Sequence, residues 1–301
     1  MMGSCNTPFS TRRDRIIFGL LLVLYHVGTM AEPIQVVDDR GRAVTLSQPA
    51  RRVITLGPSV TELVYAAGGG DTVIAVDNAS DFPAAVKSLA RVGGLNALDL
   101  EKIVALQPDL IVVWDSGYHS GEMDRLATLT TIYYADPKKL PDIATTLERL
   151  GNLTGVQRQA NEVSQRFVSD LGLLEQRYRH RPRIPAFYQV WMQPLMTIGK
   201  AHSINDVMQL CGVENIFSDS ELIVPRVDIE LVLLRKPRLL IIDGERLDAA
   251  TQTYWQHWLP GLQDHIVGIN PDLLVRPTPR ILQGAAQLCE FAEQRRTAKV
   301  P

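Results

Sequence analysis

Two stretches decide the fold: Leu100-Glu101-Lys102-Ile103-Val104-Ala105-Leu106-Gln107-Pro108-Asp109-Leu110-Ile111-Val112-Val113 and Ile229-Glu230-Leu231-Val232-Leu233-Leu234-Arg235-Lys236-Pro237-Arg238-Leu239-Leu240-Ile241-Ile242. In each, a glutamate opens a helical pattern, a proline stops it seven residues later, and a short aliphatic run follows. Proline cannot continue a helix and biases the residue before it away from helical geometry. An aliphatic run bounded in this way reads as a strand buried on both faces. Each glutamate falls in the first helical turn, where the helix dipole favours a carboxylate.

The same grammar extends outward. Arg52-Val53-Ile54-Thr55-Leu56 is a further short strand ending in Gly57-Pro58. Ser59 then reads as a helix N-cap, with Glu62 completing a capping box. That helix stops at Gly68-Gly69-Gly70, and Val73 to Val76 is the next strand. Ser203 to Met208, up to Cys211-Gly212, mirrors Ser59 to Val64, up to Ala67-Gly68. A β-like lead, Ile34 to Val37 and Val44 to Leu46, flanks the Asp39-Arg40-Gly41 turn. Strands alternating with helices twice over predict two similar Rossmann-like α/β lobes with parallel sheets, a two-fold repeat and not a solenoid.

Between the halves, Thr154 to Arg179 holds no proline and places Val156, Ala160, Val163, Phe167, Leu171 and Leu174 at steps of three and four. That spacing predicts one long amphipathic helix, closed off by Pro182 and Pro185. The ligands of open α/β sheets bind outside the strand C-termini, so the cleft between the lobes is the default site. Pro58 and Ser59 put a helix N-terminus there, a donor set for anionic groups. By analogy with Ser59, His202 faces the cleft from the loop before the second repeated helix, as a cap or loop residue.

Composition narrows the class. An apolar fraction of 46% with 21% charged residues excludes a disordered chain. A formal net charge of −2 leaves no basic footprint for nucleic acid. Arg12, Arg13 and Arg15 precede an apolar run, Ile16 to Val27, too short to span a membrane, and Thr29-Met30-Ala31 follows. This is the grammar of a secretory signal peptide cleaved before Glu32. The expected division is a signal peptide at 1–31, an N-terminal lobe at 32–153, a linking helix at 154–181 and a C-terminal lobe at 182–301. Of the three cysteines, Cys5 lies before the apolar run and goes with the leader. For the exported pair, Cys211 and Cys289, a single disulfide is favoured over a metal site, with two separate buried thiols as the alternative.

Nothing marks chemistry. No G-x-S-x-G, H-E-x-x-H, P-loop or dinucleotide fingerprint stands in the right context. The histidines His119, His180, His202, His257 and His265 are scattered, without metal-ligand spacing. The expectation is a binding protein with no catalytic residues, no metal site and no cofactor, an exported hydrolase being the remote alternative.

Arg52 to Glu62, Leu100 to Leu110 and Cys211 to Phe217 carry a resemblance. They resemble the periplasmic substrate-binding proteins of ABC importers, in the class with two lobes on a rigid helical backbone that serves siderophores, haem and vitamin B12. The likeness covers nearly all of the chain after the leader and is nearest to the cobalamin-binding branch. It implies a monomeric periplasmic protein that captures cobalamin or a related corrinoid and hands it to a permease dimer in the inner membrane, with small lobe closure. Ferric siderophores, and less so haem, are the alternative ligands. Cys211 and Cys289 stand where that branch has its disulfide. Trp114 stands where the family places a ligand-contacting tryptophan, and Asp272 with Arg276 reproduces a pair that touches the corrin side chains. Ala79, Leu95, Met196 and Val224 replace aromatic residues that pack on the corrin, while Trp191 and Tyr188 offer aromatic surface from another direction. Glu101 and Glu230 match one glutamate per lobe that docks with arginines of the permease.

Overall fold

The structure is a computed structural model, and it describes residues 1–3, 32–95, 97–118, 120–244 and 247–296. The leader read at Arg12 to Ala31, Cys5 and His119 lie outside these residues. By its contacts the chain divides into Met1–Glu32 and Pro33–Pro301, and every element named here belongs to the second unit. Among the described residues, no helix is long and apolar enough to cross a membrane.

An antiparallel hairpin of β1 (Ile34–Val37) and β2 (Ala43–Leu46) leads the unit. The first lobe then alternates strand and helix. It contains β3 (Val53–Leu56), α1 (Pro58–Ala66), β4 (Val73–Val76), β5 (Ala90–Arg91), a small hairpin of β6 (Gly93–Gly94) and β7 (Ala97–Leu98), α2 (Leu100–Ala105), β8 (Leu110–Trp114), α3 (Ser120–Ala127) and β9 (Thr131–Ala135). Its five-stranded sheet runs β5-β4-β3-β8-β9, all parallel. After α4 (Leu140–Thr154) and α5 (Gln157–Tyr178) come β10 (Ile184–Gln189), α6 (Ile204–Leu210), β11 (Val213–Asn215), α7 (Ile229–Leu234), β12 (Leu239–Asp243), α8 (Ala249–Trp258), β13 (Ile266–Ile269) and α9 (Ile281–Arg296). The second sheet is parallel too, in the order β11-β10-β12-β13.

Alternate side chains of each strand enter different cores, as the two-residue period requires. Leu110 and Val112 of β8 face one core with Leu63, Leu147 and Phe167, and Ile111 and Val113 face another with Ile103, Met123 and Leu126. In the second sheet Ala186, Tyr188, Leu239 and Ile241 join the first of these cores, while Phe187, Leu240 and Ile242 pack on Val232 and Trp255. One hydrophobic core therefore runs without a break from the first sheet through α4 and α5 to the second.

The repeat holds at the level of single dihedrals. Gln107 (φ 45°) and Lys236 (φ 49°) are left-handed residues at equivalent places, each just before the helix-stopping proline. The linking helix departs from the expected bounds. It starts at Gln157, and Thr154 instead closes α4, with Gly155 in the left-handed region (φ 75°) turning the chain between them. The periodicity runs across that turn because both helices offer an apolar face to the same core.

Candidate functional site

Both sheets reverse the direction of winding between their middle strands, at β3/β8 in the first and β10/β12 in the second. Ligands of open α/β sheets lie outside the strand C-termini at such points. In the first lobe, β3 delivers Gly57, Pro58 and Ser59, and β8 ends on Trp114. Gly57 has φ 126°, and a Cβ there would come within 2.9 Å of the Trp114 Cβ, so glycine sets how closely the tryptophan packs on the turn.

The start of α1 corrects the sequence reading. Gly57, not Ser59, is the N-cap, no side chain caps the helix, and Pro58 opens it. Proline there has no N–H to satisfy. Glu62, free of the expected capping box, is buried and faces the C-terminal lobe. Its Oε1 accepts from Arg276 Nη1 at 2.8 Å and Arg280 Nη1 at 3.1 Å, and Oε2 accepts from Thr278 Oγ1 at 3.2 Å. A buried carboxylate is better compensated by two guanidiniums than by one backbone amide. Arg280 also lies over the Phe82 ring, 4.0 Å from its centroid.

Arg276 is thus shared between lobes. Beyond Glu62 it pairs with Asp81 at 2.7 Å and Asp272 at 2.8 Å. Burial opposes its charge, yet the hydrogen bonds to Asp81 and Glu62 hold its pKa above the usual arginine value. The same bond to Arg276 holds Asp81 below the usual carboxylate range. The Asp272–Arg276 pair read from sequence is therefore part of an inter-lobe cluster that also borders the cleft.

Two cavities meet between the sheets and share His202, Val224, Val275 and Arg276. One, of about 410 Å³, sets Pro58, Ser59 and Trp114 of the first lobe opposite Val224, Val275 and Arg276 of the second. The other, of about 730 Å³, is lined by C-terminal-lobe residues, among them Trp191, Asp243 and Asp272. The structure thus brings Pro58, Ser59, Trp114, Trp191, Val224, Asp272 and Arg276 together. Ala79, Leu95 and Met196 line neither cavity: the first two are exposed on loops, and Met196 forms backbone bridges to Trp191 and Arg226. Trp191 is 62%, Ile223 59% and Val275 43% exposed, so large apolar side chains at both cavities face solvent. Glu101 and Glu230 are exposed in the first turns of α2 and α7. Cys211 and Cys289 form a disulfide between the end of α6 and α9.

Several cleft residues were not singled out from sequence. Asp136 and Lys138 follow β9 and pair with each other, and Ser116 Oγ donates to Asp136. Asp243 ends β12, one residue past the aligned repeat and so opposite Trp114 in the pseudo-two-fold. Extending the alignment by that one residue finds it. Among the described residues, no group of three or more His, Cys, Asp or Glu side chains is placed to hold a metal ion.

Comparison with known proteins agrees with this architecture. Residues 53–257 match the family model described as Periplasmic binding protein. The vitamin B12-binding protein of Yersinia pestis (strain Pestoides F) is 38% identical over 246 residues, covering 81% of this chain and 87% of the relative. The crystal structure of the periplasmic vitamin B12 binding protein BtuF of Vibrio cholerae has a TM-score of 0.78 at 35% identity, over 83% of this chain and 99% of that one. The periplasmic heme binding protein HutB of Vibrio cholerae shares the fold, with a TM-score of 0.68 at 19% identity over 80% of this chain and 98% of that one. With two parallel α/β lobes on a helical backbone and a family match that spans most of both sheets, the chain belongs to the periplasmic binding protein family.

Proposed function

We propose that the protein is the periplasmic solute-binding component of an ABC importer, capturing cobalamin or a related corrinoid in the inter-lobe cleft. The observation that carries this reading is the 38% identity with a vitamin B12-binding protein over 246 residues, a span long enough to include the cleft-forming strands of both lobes. The chemistry of the cleft supports it. Trp114, Trp191, Ile223 and Val275 offer apolar surface to a broad macrocycle face, and the polar groups between them suit neutral hydrogen-bonding arms.

Charge argues against a polyanionic ferric siderophore. The cations lining the two cavities are Arg276 and Lys138, each already paired with carboxylates, against Asp136, Asp243, Asp248 and Asp272. An anionic chelate would have to displace those partners. Delivery assigns Glu101 and Glu230 to docking: equivalent carboxylates on two similar lobes suit the repeated arginines of a two-fold permease. In this reading residues 1–31 are the export signal, 32–153 and 182–301 the lobes, and 154–181 their connection, and the protein works as a monomer.

Equilibrium dialysis of the purified protein against cyanocobalamin, a ferric hydroxamate, a ferric catecholate and haemin tests the ligand class. Retention of cyanocobalamin in preference to the iron ligands is expected. Retention of a ferric chelate with no affinity for cyanocobalamin would overturn the assignment.

A further inference from the structure

The C-terminal-lobe cavity does more than extend the cleft. At its floor Asp243 closes β12, and Tyr188 of the adjacent strand β10 donates its hydroxyl hydrogen to Asp243 Oδ1. Tyr188 is fully buried, so one carboxylate oxygen is fixed in place from below. Asp243 is half-buried and borders the cavity, and among the described residues its Oδ2 has no partner. Burial raises its pKa to about 6, with the tyrosine bond opposing the rise. At neutral pH Oδ2 is therefore an anionic acceptor, on a carboxylate whose other oxygen is held by a rigid neighbour.

Donors stand around the same space. His202 borders both cavities, and its Nδ1 accepts the Ile204 N–H at 3.3 Å. Burial lowers the pKa of His202, so the ring is neutral, and the proton it carries is on Nε2. Gln189 also lines the cavity. Its Oε1 is occupied by the Trp255 indole N–H at 2.7 Å, which leaves the amide nitrogen as its free end.

We infer that this half of the cleft is a hydrogen-bond subsite for a primary carboxamide arm of the ligand, with Asp243 accepting from the amide nitrogen and His202 donating to the amide oxygen. The inference rests on the corrinoid reading, since a corrin ring carries acetamide and propionamide arms. A carboxamide offers donors and an acceptor side by side and matches the mixed set here. A carboxylate arm would face Asp243 and Asp272. An ammonium would leave the His202 and Gln189 donors without an acceptor. Asp243 is thereby a specificity-determining residue that distinguishes amide arms from acid arms.

Calorimetric titration at pH 7.5 tests this with cyanocobalamin and with its three monocarboxylic acids, in each of which one propionamide is hydrolysed. The proteins compared are the wild type, Asp243→Leu and the near-isosteric Asp243→Asn, with circular dichroism as the check on folding. The wild type should bind at least one of the acids about tenfold or more weakly than cyanocobalamin. Asp243→Leu should lose about tenfold or more in cyanocobalamin affinity. Asp243→Asn should bring the rejected acid to within about threefold of the amide, and it carries the test alone if Asp243→Leu does not fold. Equal affinities for all four ligands in wild type and Asp243→Asn would overturn the subsite while leaving the corrinoid reading intact. A wild-type protein that binds no corrinoid would overturn both.

Discussion

His265 stands at the entrance to β13, 5% exposed, with neither ring nitrogen paired among the described residues. Burial, reinforced by the charges of Arg295 and Arg238, lowers its pKa below the usual 6.5. The sign follows from linkage. The unfolded chain takes up a proton below about pH 6.5 that the folded ring refuses, so stability is complete above that pH and is lost as pH falls. Each pH unit over which only the unfolded ring is protonated costs about 1.4 kcal/mol. His202, lowered by burial, adds a slope of the same sign. Asp243, raised to about 6, acts in the opposite sense, its contribution fading as pH rises. Replacing His265 by Phe isolates one term: urea midpoints from pH 7.5 to 5 should fall less steeply for His265→Phe than for wild type. Parallel curves would show that the histidine titrates normally.

Residue roles were unevenly legible. The place of Trp114 at a strand end was readable because an apolar run leads into it, whereas its role came from the resemblance. Glu62 was misread because its local signal, a serine three residues before it, is complete by itself. Its actual partners, Arg276, Thr278 and Arg280, lie 214 to 218 residues away, and no local pattern points across that distance.

Elements were read best where chain chemistry decides them. The paired Glu…Pro…strand segments gave α2, β8, α7 and β12 because proline and an aliphatic run act locally. The linking helix was placed too early because periodicity registers which core a residue faces, not whether Gly155 breaks the helix. The disulfide is an element-scale device: it ties the end of α6 to α9 across a separation of 78 residues. Closing a loop of that size limits the unfolded chain and contributes about 4–5 kcal/mol on the chain-entropy view, less where strain intervenes. The double variant Cys211→Ala/Cys289→Ala should lower the free energy of unfolding by about 2–5 kcal/mol, read from the guanidinium midpoint together with the slope, which rises as the unfolded chain expands. An unchanged midpoint would show that the helices are held by packing alone.

At the scale of the molecule, the lobes share one core through α4 and α5, and Glu62, Asp81, Arg276 and Arg280 bridge them beside the cleft. Large opening would expose that core and strip a buried carboxylate of its partners, so the closure expected on capture is small. In the proposed reading, recognition by the permease depends on surface charge presented by both lobes at once. The variant Glu101→Ala/Glu230→Ala should keep its ligand affinity within about twofold, since surface substitutions away from the cleft have small effects. It should nevertheless abolish uptake in cells that depend on this protein for import. Undiminished uptake would assign the two glutamates to their helix dipoles alone, a contribution of about 0.3–1 kcal/mol each.

The two lobes, their parallel sheets and the cleft position were legible because repeated local patterns specify them. The lining of the two cavities was legible only in part, because it is assembled from the segments after seven different strands, β3, β8, β9, β10, β11, β12 and β13. Calorimetric titration of the purified protein with cyanocobalamin decides whether the cleft takes a corrinoid. Saturable binding of one corrinoid per chain, weakened by Trp114→Ala, is the expected result. Absence of binding, or affinity untouched by Trp114→Ala, would contradict it.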